Sequence, residues 1–229
     1  SKNNFFVNSF DYLQLKKDSH LKNIFINNNR CSCYFHNYLK SDLKQNTNLD
    51  NYILSTGLKL NKFDIEINLN EEYAKSSIFS ALSLGSEEHQ EIKSSINHNS
   101  KNCQSYQKIK NVLNDQSRGV YQGKIFVKQE AQKTDAYQLS KALLLNDNAE
   151  FDAKPELEIY ADDVKCSHGS TSGSIDLDSI HYLKSRGIPE KKAYQMLING
   201  FLSEILEKLP EDNLKKFLIE KIGRQINGY

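Results

Sequence analysis

Short β-strand patterns follow one another through most of this chain and restrict the folds that it can adopt. From Phe63 to Leu69, apolar residues alternate strictly with polar ones, as in a strand with one buried face. A second β pattern runs from Val120 to Lys128, and polar turn clusters at residues 85–86 and 114–115 lie between such segments. Before residue 174 no helical stretch is long enough to cross between parallel strands, so a β-sandwich, a β-barrel or a parallel β-helix remains.

A helical pattern replaces the strand pattern after Ser174. Asp176 is placed to cap a short helix that Gly187 ends, and Pro189 is placed to start the next one. Apolar residues then recur at helical spacing, at Ala193, Leu197, Phe201, Leu202, Ile205, Leu206, Leu209, Leu214, Leu218 and Ile222. The sequence therefore predicts a strand domain over residues 1–174 and a helical subdomain over residues 175–229. We expect part of the helical surface to pack on the strand domain and part to receive another protein.

The amino-acid composition argues against several classes of binding partner. The 30 basic and 29 acidic residues give a net charge of +1, which provides no general electrostatic attraction for nucleic acid. No apolar run approaches the roughly 20 residues of a membrane span. We therefore expect neither nucleic acid nor a membrane as a partner. The four cysteines have no paired spacing, which favours a reducing compartment in which the thiols stay free.

A cysteine and a histidine two residues apart are the strongest candidates for chemistry. In a strand, Cys166 and His168 project from one face, whereas Lys165 and Ser167 project from the other. A thiolate and an imidazole suit iron or zinc, but two ligands are too few to close a metal site. A partner would have to supply the rest. From the residues alone, a buried strand cysteine beside a rim histidine is the commoner arrangement.

Other cysteines and histidines are interpreted structurally. Cys31 and Cys33 form a C-x-C pair on one strand face with His36 nearby, but such combinations arise easily by chance in an Asn-rich segment. We therefore do not favour a metal site there. The remaining assignments are packing for Cys103 and a rim or turn position for His89 and His98.

The Gly/Ser-rich segment from Gly169 to Ser174 leads into a helix, as phosphate-binding loops do. It lacks the lysine that such a loop places before its Ser or Thr. We interpret the segment as a turn and expect ATP to be hydrolysed by another protein.

Three segments of the second half carry a resemblance to a known family. They are GKIFVKQEAQKTDAYQ (Gly123 to Gln138), ELEIYADDVKCSHGSTSG (Glu156 to Gly173) and IHYLKSRGIPEKKA (Ile180 to Ala193). Together they closely resemble the C-terminal half of SufD, in the SufB and SufD family of iron-sulfur cluster assembly proteins. SufB-like chains carry an EHEA-type segment where this chain has residues 165–169, so the resemblance favours SufD. It is clear from Glu87 onward and holds only as a pattern from Ser1 to Ser86. The helical region that precedes the strand domain in the family is missing, as expected of an excised fragment or a short homologue.

The resemblance implies a fold that periodicity alone does not select. This is a mainly β chain, a flattened right-handed parallel β-helix followed by a small C-terminal α-helical subdomain. No clean coil repeat is visible, and the 10 glycines are few for a β-solenoid.

The resemblance also implies a function. We expect a non-catalytic scaffold that pairs with a SufB-like subunit through its β-helix and recruits the ATPase SufC through its helices. No cofactor would be stably bound, but a nascent iron-sulfur cluster would form in the complex. The heavy use of Asn, Lys and Ile is compatible with a bacterial cytoplasm or a plastid-type organelle.

Particular residues inherit roles from this resemblance. His168 would lie at the SufB interface and hold metal transiently together with a cysteine of the partner, and Cys166 would accompany it. The SufC-binding surface would comprise Tyr182, Leu183, Arg186, Ile188, Ala193 and Phe201.

Two alternatives stay open. A β-helix enzyme acting on carbohydrate or acyl substrates would need carboxylates or histidines on successive coils. Asp162 and Asp163 are the only adjacent acidic pair near the motif, and on a strand they would face opposite ways. The other alternative is a SufB/SufD-like homodimer in which two copies of His168 meet.

Overall fold

The computed structural model describes residues 5–27, 31–207 and 209–225. Within these ranges the chain forms twelve strands, three α-helices and one 3-10 turn. The strands are β1 (Phe6–Leu15), β2 (His20–Asn27), β3 (Cys31–Leu43), β4 (Asn48–Thr56), β5 (Leu58–Leu69), β6 (Lys75–Leu84), β7 (His89–His98), β8 (Gln104–Leu113), β9 (Arg118–Val127), β10 (Asp135–Leu144), β11 (Glu150–Ile159) and β12 (Lys165–Ser174). The helices are α1 (Leu177–Ser185), α2 (Glu190–Ser203) and α3 (Asp212–Gln225), and the 3-10 turn covers Glu204–Leu206.

Successive strands alternate between two six-stranded parallel sheets. The odd sheet has the order β1-β3-β5-β7-β9-β11, and the even sheet has the order β12-β10-β8-β6-β4-β2. Residues paired across neighbouring strands are 26 to 32 apart in sequence. Each coil therefore adds one strand to each sheet and stacks on the coil before it. This confirms the parallel β-helix followed by helices.

The coil repeat lies in backbone conformation rather than in residue identity. Residues with positive φ recur at intervals of 27 to 31 along one end of the coils, at Asp18, Asn46, Tyr73, Asn102 and Lys133. Asp and Asn adopt this left-handed conformation readily, whereas Tyr and Lys do so less often. Equivalent turns thus carry unrelated side chains, which explains why the sequence shows no clean repeat.

The space between the two sheets holds the main core. Inward-facing side chains stack in rows from coil to coil, and the apolar ones include Leu43, Leu49, Ile67, Ile78, Ile92, Ile96 and Leu113. Cys103 is fully buried in this core and confirms the packing assignment. His98 is also fully buried, with Nε2 2.9 Å from Ser105 Oγ. Its expected rim or turn position is wrong, because it occupies an inward position at the end of β7.

The helices pack on the outer face of the even sheet. Tyr52, Phe79 and Val112 of the sheet share an apolar cluster with Ile198 and Leu202 of α2. At the start of α1, the Asp176 side chain accepts a hydrogen bond from Asp178 N, and after its end Gly187 has a φ of +83°. These caps confirm the predicted ends of the first helix. No helix in the described part of the chain is long and apolar enough to span a membrane.

Buried lysines also attach the helices to the sheet. The Lys110 side chain is 1% exposed, and its Nζ lies 2.6 Å from Glu204 Oε2 and 4.0 Å from the centre of the Phe201 ring. Nζ of Lys108, two residues earlier on β8, lies 3.1 Å from Glu207 Oε2. Burial lowers the pKa of Lys110, while the Glu204 carboxylate opposes this effect. The helical part and the strand part therefore share an apolar cluster and ion pairs in which the lysines are buried and the carboxylates are exposed.

Two local expectations around β12 are wrong. Residues Gly169 to Ser174 form the second half of that strand rather than a turn, because β10 offers in-register backbone partners along its whole length. Asp162 and Asp163 lie in the bend between β11 and β12 rather than on a strand.

We expect His98 to make the protein less stable at acidic pH. Burial lowers its pKa from near 6.5 to about 3, so below pH 6.5 the unfolded chain binds a proton that the native state does not. The free energy of unfolding should decrease as the pH is lowered. Between roughly pH 6 and 3, this residue should contribute up to about 1.4 kcal/mol per pH unit to that slope. Urea unfolding at several pH values measures this slope. In a His98→Gln variant the slope should be smaller by that amount, and equal slopes in the two proteins would contradict the assignment.

Candidate functional site

The candidate site lies at the end of the coil stack. β11 and β12 are the last strands of the odd and even sheets, and no strand of the described chain pairs with their outer edges. Parallel strands with an open edge present backbone N–H and C=O groups to any chain that adds a further strand. This end of the molecule can therefore extend its sheets into a second protein.

The register of β12 places Cys166 and His168 on the inward face of the terminal coil. Cys166 pairs with Ala136 and His168 with Gln138, and both β10 residues point into the core with 1% exposure. Ser170 continues this face, since its Oγ lies 2.9 Å from the Oγ of Ser140. The shared face predicted from the alternation of a strand is present.

The two side chains of the motif differ in accessibility. Cys166 is partly buried against the apolar cluster that contains Ile125, Val127 and Ala136, whereas His168 is exposed. Burial raises the pKa of the Cys166 thiol, and the Asp135 carboxylate raises it further. Because the thiolate is the form that binds metal, this environment disfavours Cys166 as a ligand. Of the two side chains, the exposed imidazole of His168 is therefore the better placed to bind a metal ion.

The described residues do not complete a metal site. No group of three or more His, Cys, Asp or Glu residues within them is arranged to hold a metal ion. His168 and Cys166 would therefore need ligands from another chain, as the spacing of the motif predicted.

The described members of the second candidate group, Cys33 and His36, lie on opposite faces of their strand. On β3, Cys33 points into the core with 2% exposure, while His36 lies on the outer face with Nε2 2.7 Å from Asp64 Oδ2. The side chain of Cys31 lies outside the described residues. Cys103 and Cys166 are free thiols, but Cys33 is disulfide-bonded, so the expectation of free thiols is wrong for this residue.

The helical surface predicted to bind a partner is only partly exposed. Tyr182 is 57% exposed, and the centre of its ring lies 5.3 Å from the Arg186 guanidinium. Leu183 and Ile188 are partly buried, and an open groove of about 320 Å³ is lined by Asp176, Asp178, Ser179, Tyr182, Leu183 and Leu197. The groove adds Leu197, Asp176 and Asp178 to the surface that sequence reasoning had identified.

Two residues of that predicted surface require correction. Ala193 is fully buried in the cluster between the helices and the sheet, so a partner cannot contact its side chain. Phe201 is partly buried, and its ring covers the ammonium group of Lys110. Both side chains face the sheet, because the apolar stripe of α2 is the surface that packs on it.

Comparison with known proteins gives a consistent family relationship. A family model described as "SUF system FeS cluster assembly, SufBD core domain" matches residues 1–201. The iron-sulfur cluster assembly protein SufD of Escherichia coli (strain K12) is 46% identical over 133 residues, which are 58% of this chain and 31% of that protein.

Two further relatives come from a bacterium and a plant. SufD of Bacillus subtilis (strain 168) is 36% identical over 115 residues, which are 50% of this chain and 26% of that protein. The protein ABCI7, chloroplastic, of Arabidopsis thaliana is 39% identical over 104 residues, which are 45% of this chain and 22% of that protein. The matches thus span between about a fifth and a third of the length of these relatives.

We expect Cys166 to react slowly with alkylating reagents in the native protein. Its raised pKa keeps the thiolate fraction low at pH 7.5, so the rate of iodoacetamide labelling should rise about tenfold per pH unit toward pH 9. Asp135→Asn removes the nearby negative charge and should accelerate labelling. Mass spectrometry reports the modified residue.

Cys103 provides the internal comparison for this experiment. It is fully buried, and burial raises its pKa to about 11, so it should be labelled only after unfolding. Labelling of Cys166 that is already at its plateau rate below pH 8 would contradict the assigned environment.

Proposed function

The chain belongs to the SufBD core family, and from that membership we propose that it is a non-catalytic scaffold that assembles iron-sulfur clusters with a SufB-like subunit and the ATPase SufC. Both SufD relatives are named as iron-sulfur cluster assembly proteins. The observation that carries the proposal is the exposed His168 on the open terminal coil. An imidazole at this position reaches any chain that extends the sheet.

The SufB-like subunit would join at β11 and β12. A strand added to these edges would satisfy their outward N–H and C=O groups and would cover the inward face of the terminal coil. His168 would then be enclosed between the two proteins, together with a cysteine contributed by the partner. A neutral imidazole and a thiolate form a competent ligand pair for iron, and the nascent cluster is the product that leaves the site.

SufC would bind the helices at the groove beside α1. Tyr182, Leu183 and Leu197 provide its apolar walls, while Asp176 and Asp178 provide a negative rim. A partner element with an apolar anchor flanked by basic residues fits this surface. ATP hydrolysis in SufC would then be transmitted to the sheet through the buried lysines of β8.

The relatives suggest where the protein would act. Two come from bacteria and one is named as chloroplastic, so we place this protein in a bacterial cytoplasm or a plastid-type organelle.

The β-helix enzyme acting on carbohydrate or acyl substrates has less support, because Asp162 and Asp163 lie in a bend beyond the sheet. A homodimer through the same strand edges would appear as a doubled mass in the absence of SufB.

Replacing His168 by alanine tests the site. The side chain is exposed on a terminal strand, so His168→Ala should leave folding and the association with SufB and SufC nearly unchanged. Complementation of a strain that lacks the homologous protein should fail, because the iron ligand is lost. Cys166→Ala should have a milder effect, since its thiol is partly buried and protonated.

A matched control for this test is His20→Ala, which removes another exposed histidine, on β2. It should complement fully. Full complementation by His168→Ala would contradict the proposed role of His168. Failure of Cys166→Ala alone would show that Cys166, rather than His168, is the more important residue of the motif.

A charge placed in the α1 groove should prevent SufC binding. Leu183→Asp puts a carboxylate on an apolar wall, at a cost of roughly 1–3 kcal/mol if the partner desolvates it. Capture of SufC should fall by about 5- to 150-fold in a pull-down, with an unchanged circular dichroism spectrum. Phe217→Asp, at an exposed apolar position on α3 outside the groove, is the control and should retain SufC. Equal capture by both variants would place the SufC site elsewhere.

A further inference from the structure

The two strand edges that end the coil stack, on β11 and β12, differ in their backbone groups. Along a strand, the N–H and C=O groups of successive residues point to opposite sides, so only every second residue can bond a strand added at the outer edge. The hydrogen bonds that join each strand to its inner neighbour show which residues these are.

On β11, the odd-numbered residues face the outer edge. Glu150 N lies 3.0 Å from Ser117 O at the start of the strand, and Tyr160 N lies 2.9 Å from Val127 O directly after its end. The pairing with β9 runs without a register shift between these points. Even-numbered residues therefore bond β9, and Pro155 is among those that face outward. Because proline has no N–H, the row of outward donors is broken in the middle of β11.

On β12, the even-numbered residues face the outer edge. Lys165 N lies 2.8 Å from Thr134 O, and the pairing with β10 continues without a register shift to the end of the strand. The outward N–H and C=O groups therefore belong to Cys166, His168, Ser170, Ser172 and Ser174. None of these residues is a proline, and residues 170–174 are all exposed. β12 thus offers an uninterrupted row of donors and acceptors.

Charged side chains distinguish the two edges further. Five of the ten residues of β11 are charged and alternate along one face of the strand: Glu150, Asp152, Lys154, Glu156 and Glu158. Some of them already have partners within the odd sheet, since Lys154 Nζ lies 2.8 Å from Glu156 Oε1 and Lys124 Nζ lies 2.5 Å from Glu158 Oε2. On β12, Lys165 is the only Asp, Glu, Lys or Arg residue. Proline and charged side chains are common means by which proteins protect an edge strand from pairing, so β11 is protected and β12 is not.

We propose that the SufB-like partner adds its strand to β12, where it pairs continuously with the outward groups from Cys166 to Ser174, and that Pro155 interrupts any backbone pairing at β11. The inference rests on the proposed function, because it takes the SufB-like subunit as the occupant of the terminal coil. An extended strand fits this edge because the exposed row consists of main-chain donors and acceptors. The added strand would lie about 4.8 Å from β12, which places its inward side chains beside His168. A strand laid along β11 would instead leave one of its carbonyl groups unpaired opposite Pro155.

A proline placed in β12 tests which edge the partner uses. Ser170→Pro removes one outward N–H and no backbone hydrogen bond to β10, so the chain should keep its circular dichroism spectrum. The matched control is Ser170→Ala, which also loses the hydroxyl group 2.9 Å from Ser140 Oγ but keeps the N–H. In titrations with purified SufB, Ser170→Pro should bind about 5- to 150-fold more weakly than Ser170→Ala, because a carbonyl group of the partner strand loses its donor. If Ser170→Pro changes the fold, Ser172→Pro and Ser172→Ala make the same comparison nearer the end of the strand.

Pro155→Ala provides the converse test at β11. It gives that edge an outward N–H, and the affinity for SufB should be unchanged because no partner strand is there to accept from it. Equal affinities of Ser170→Pro and Ser170→Ala, or tighter binding by Pro155→Ala, would overturn the assignment of β12 as the pairing edge. Failure of the wild-type chain to bind SufB would instead overturn the proposed function, on which the inference rests.

Discussion

Backbone pairing between successive coils is the interaction on which the rest of this structure depends. Each strand pairs in parallel register with the equivalent strand of the next coil, so a given inward position stays inward through the stack. Such a stack has no internal way to close its last coil. Within the described residues no further strand pairs with the outer edges of β11 and β12, and Cys166 and His168 end two rows of inward side chains on the even sheet. The candidate site is a consequence of where the pairing stops.

The sequence predicted the features that depend on local pattern. Alternation identified β5 and the common face of Cys166 and His168, and capping residues identified the ends of α1. Features that depend on neighbouring coils could not be obtained in this way. Gly169 to Ser174 has weak strand propensity, but pairing with β10 makes it a strand. The inward position of His98 and the contact of Gln138 with Tyr121 likewise follow from coil stacking, which a single sequence does not display.

The helices are attached to the same sheet that carries the site. Lys110 is buried and pairs with Glu204, directly after α2, and β8 is separated from β12 only by β10. Removing Glu204 would leave the buried Lys110 ammonium group without its carboxylate partner, whereas Glu204 would keep Lys108 Nζ at 3.5 Å if Lys110 were removed. In the proposed function, force applied at the α1 groove would reach the terminal strand through two strand pairings. In the same proposal, this short path would be the route by which ATP hydrolysis in SufC acts on the interface that encloses His168.

Hydrogen–deuterium exchange tests most directly whether the terminal strand edge receives the SufB-like partner, as proposed. Exchange would be measured on the chain alone and after addition of the partner, with peptides that resolve β11, β12 and the opposite end at β1 and β2. Amides within residues 150–174 should become protected on binding, because a new strand would accept their hydrogen bonds. Protection confined to β1 and β2, or to α1 and α2, would contradict it.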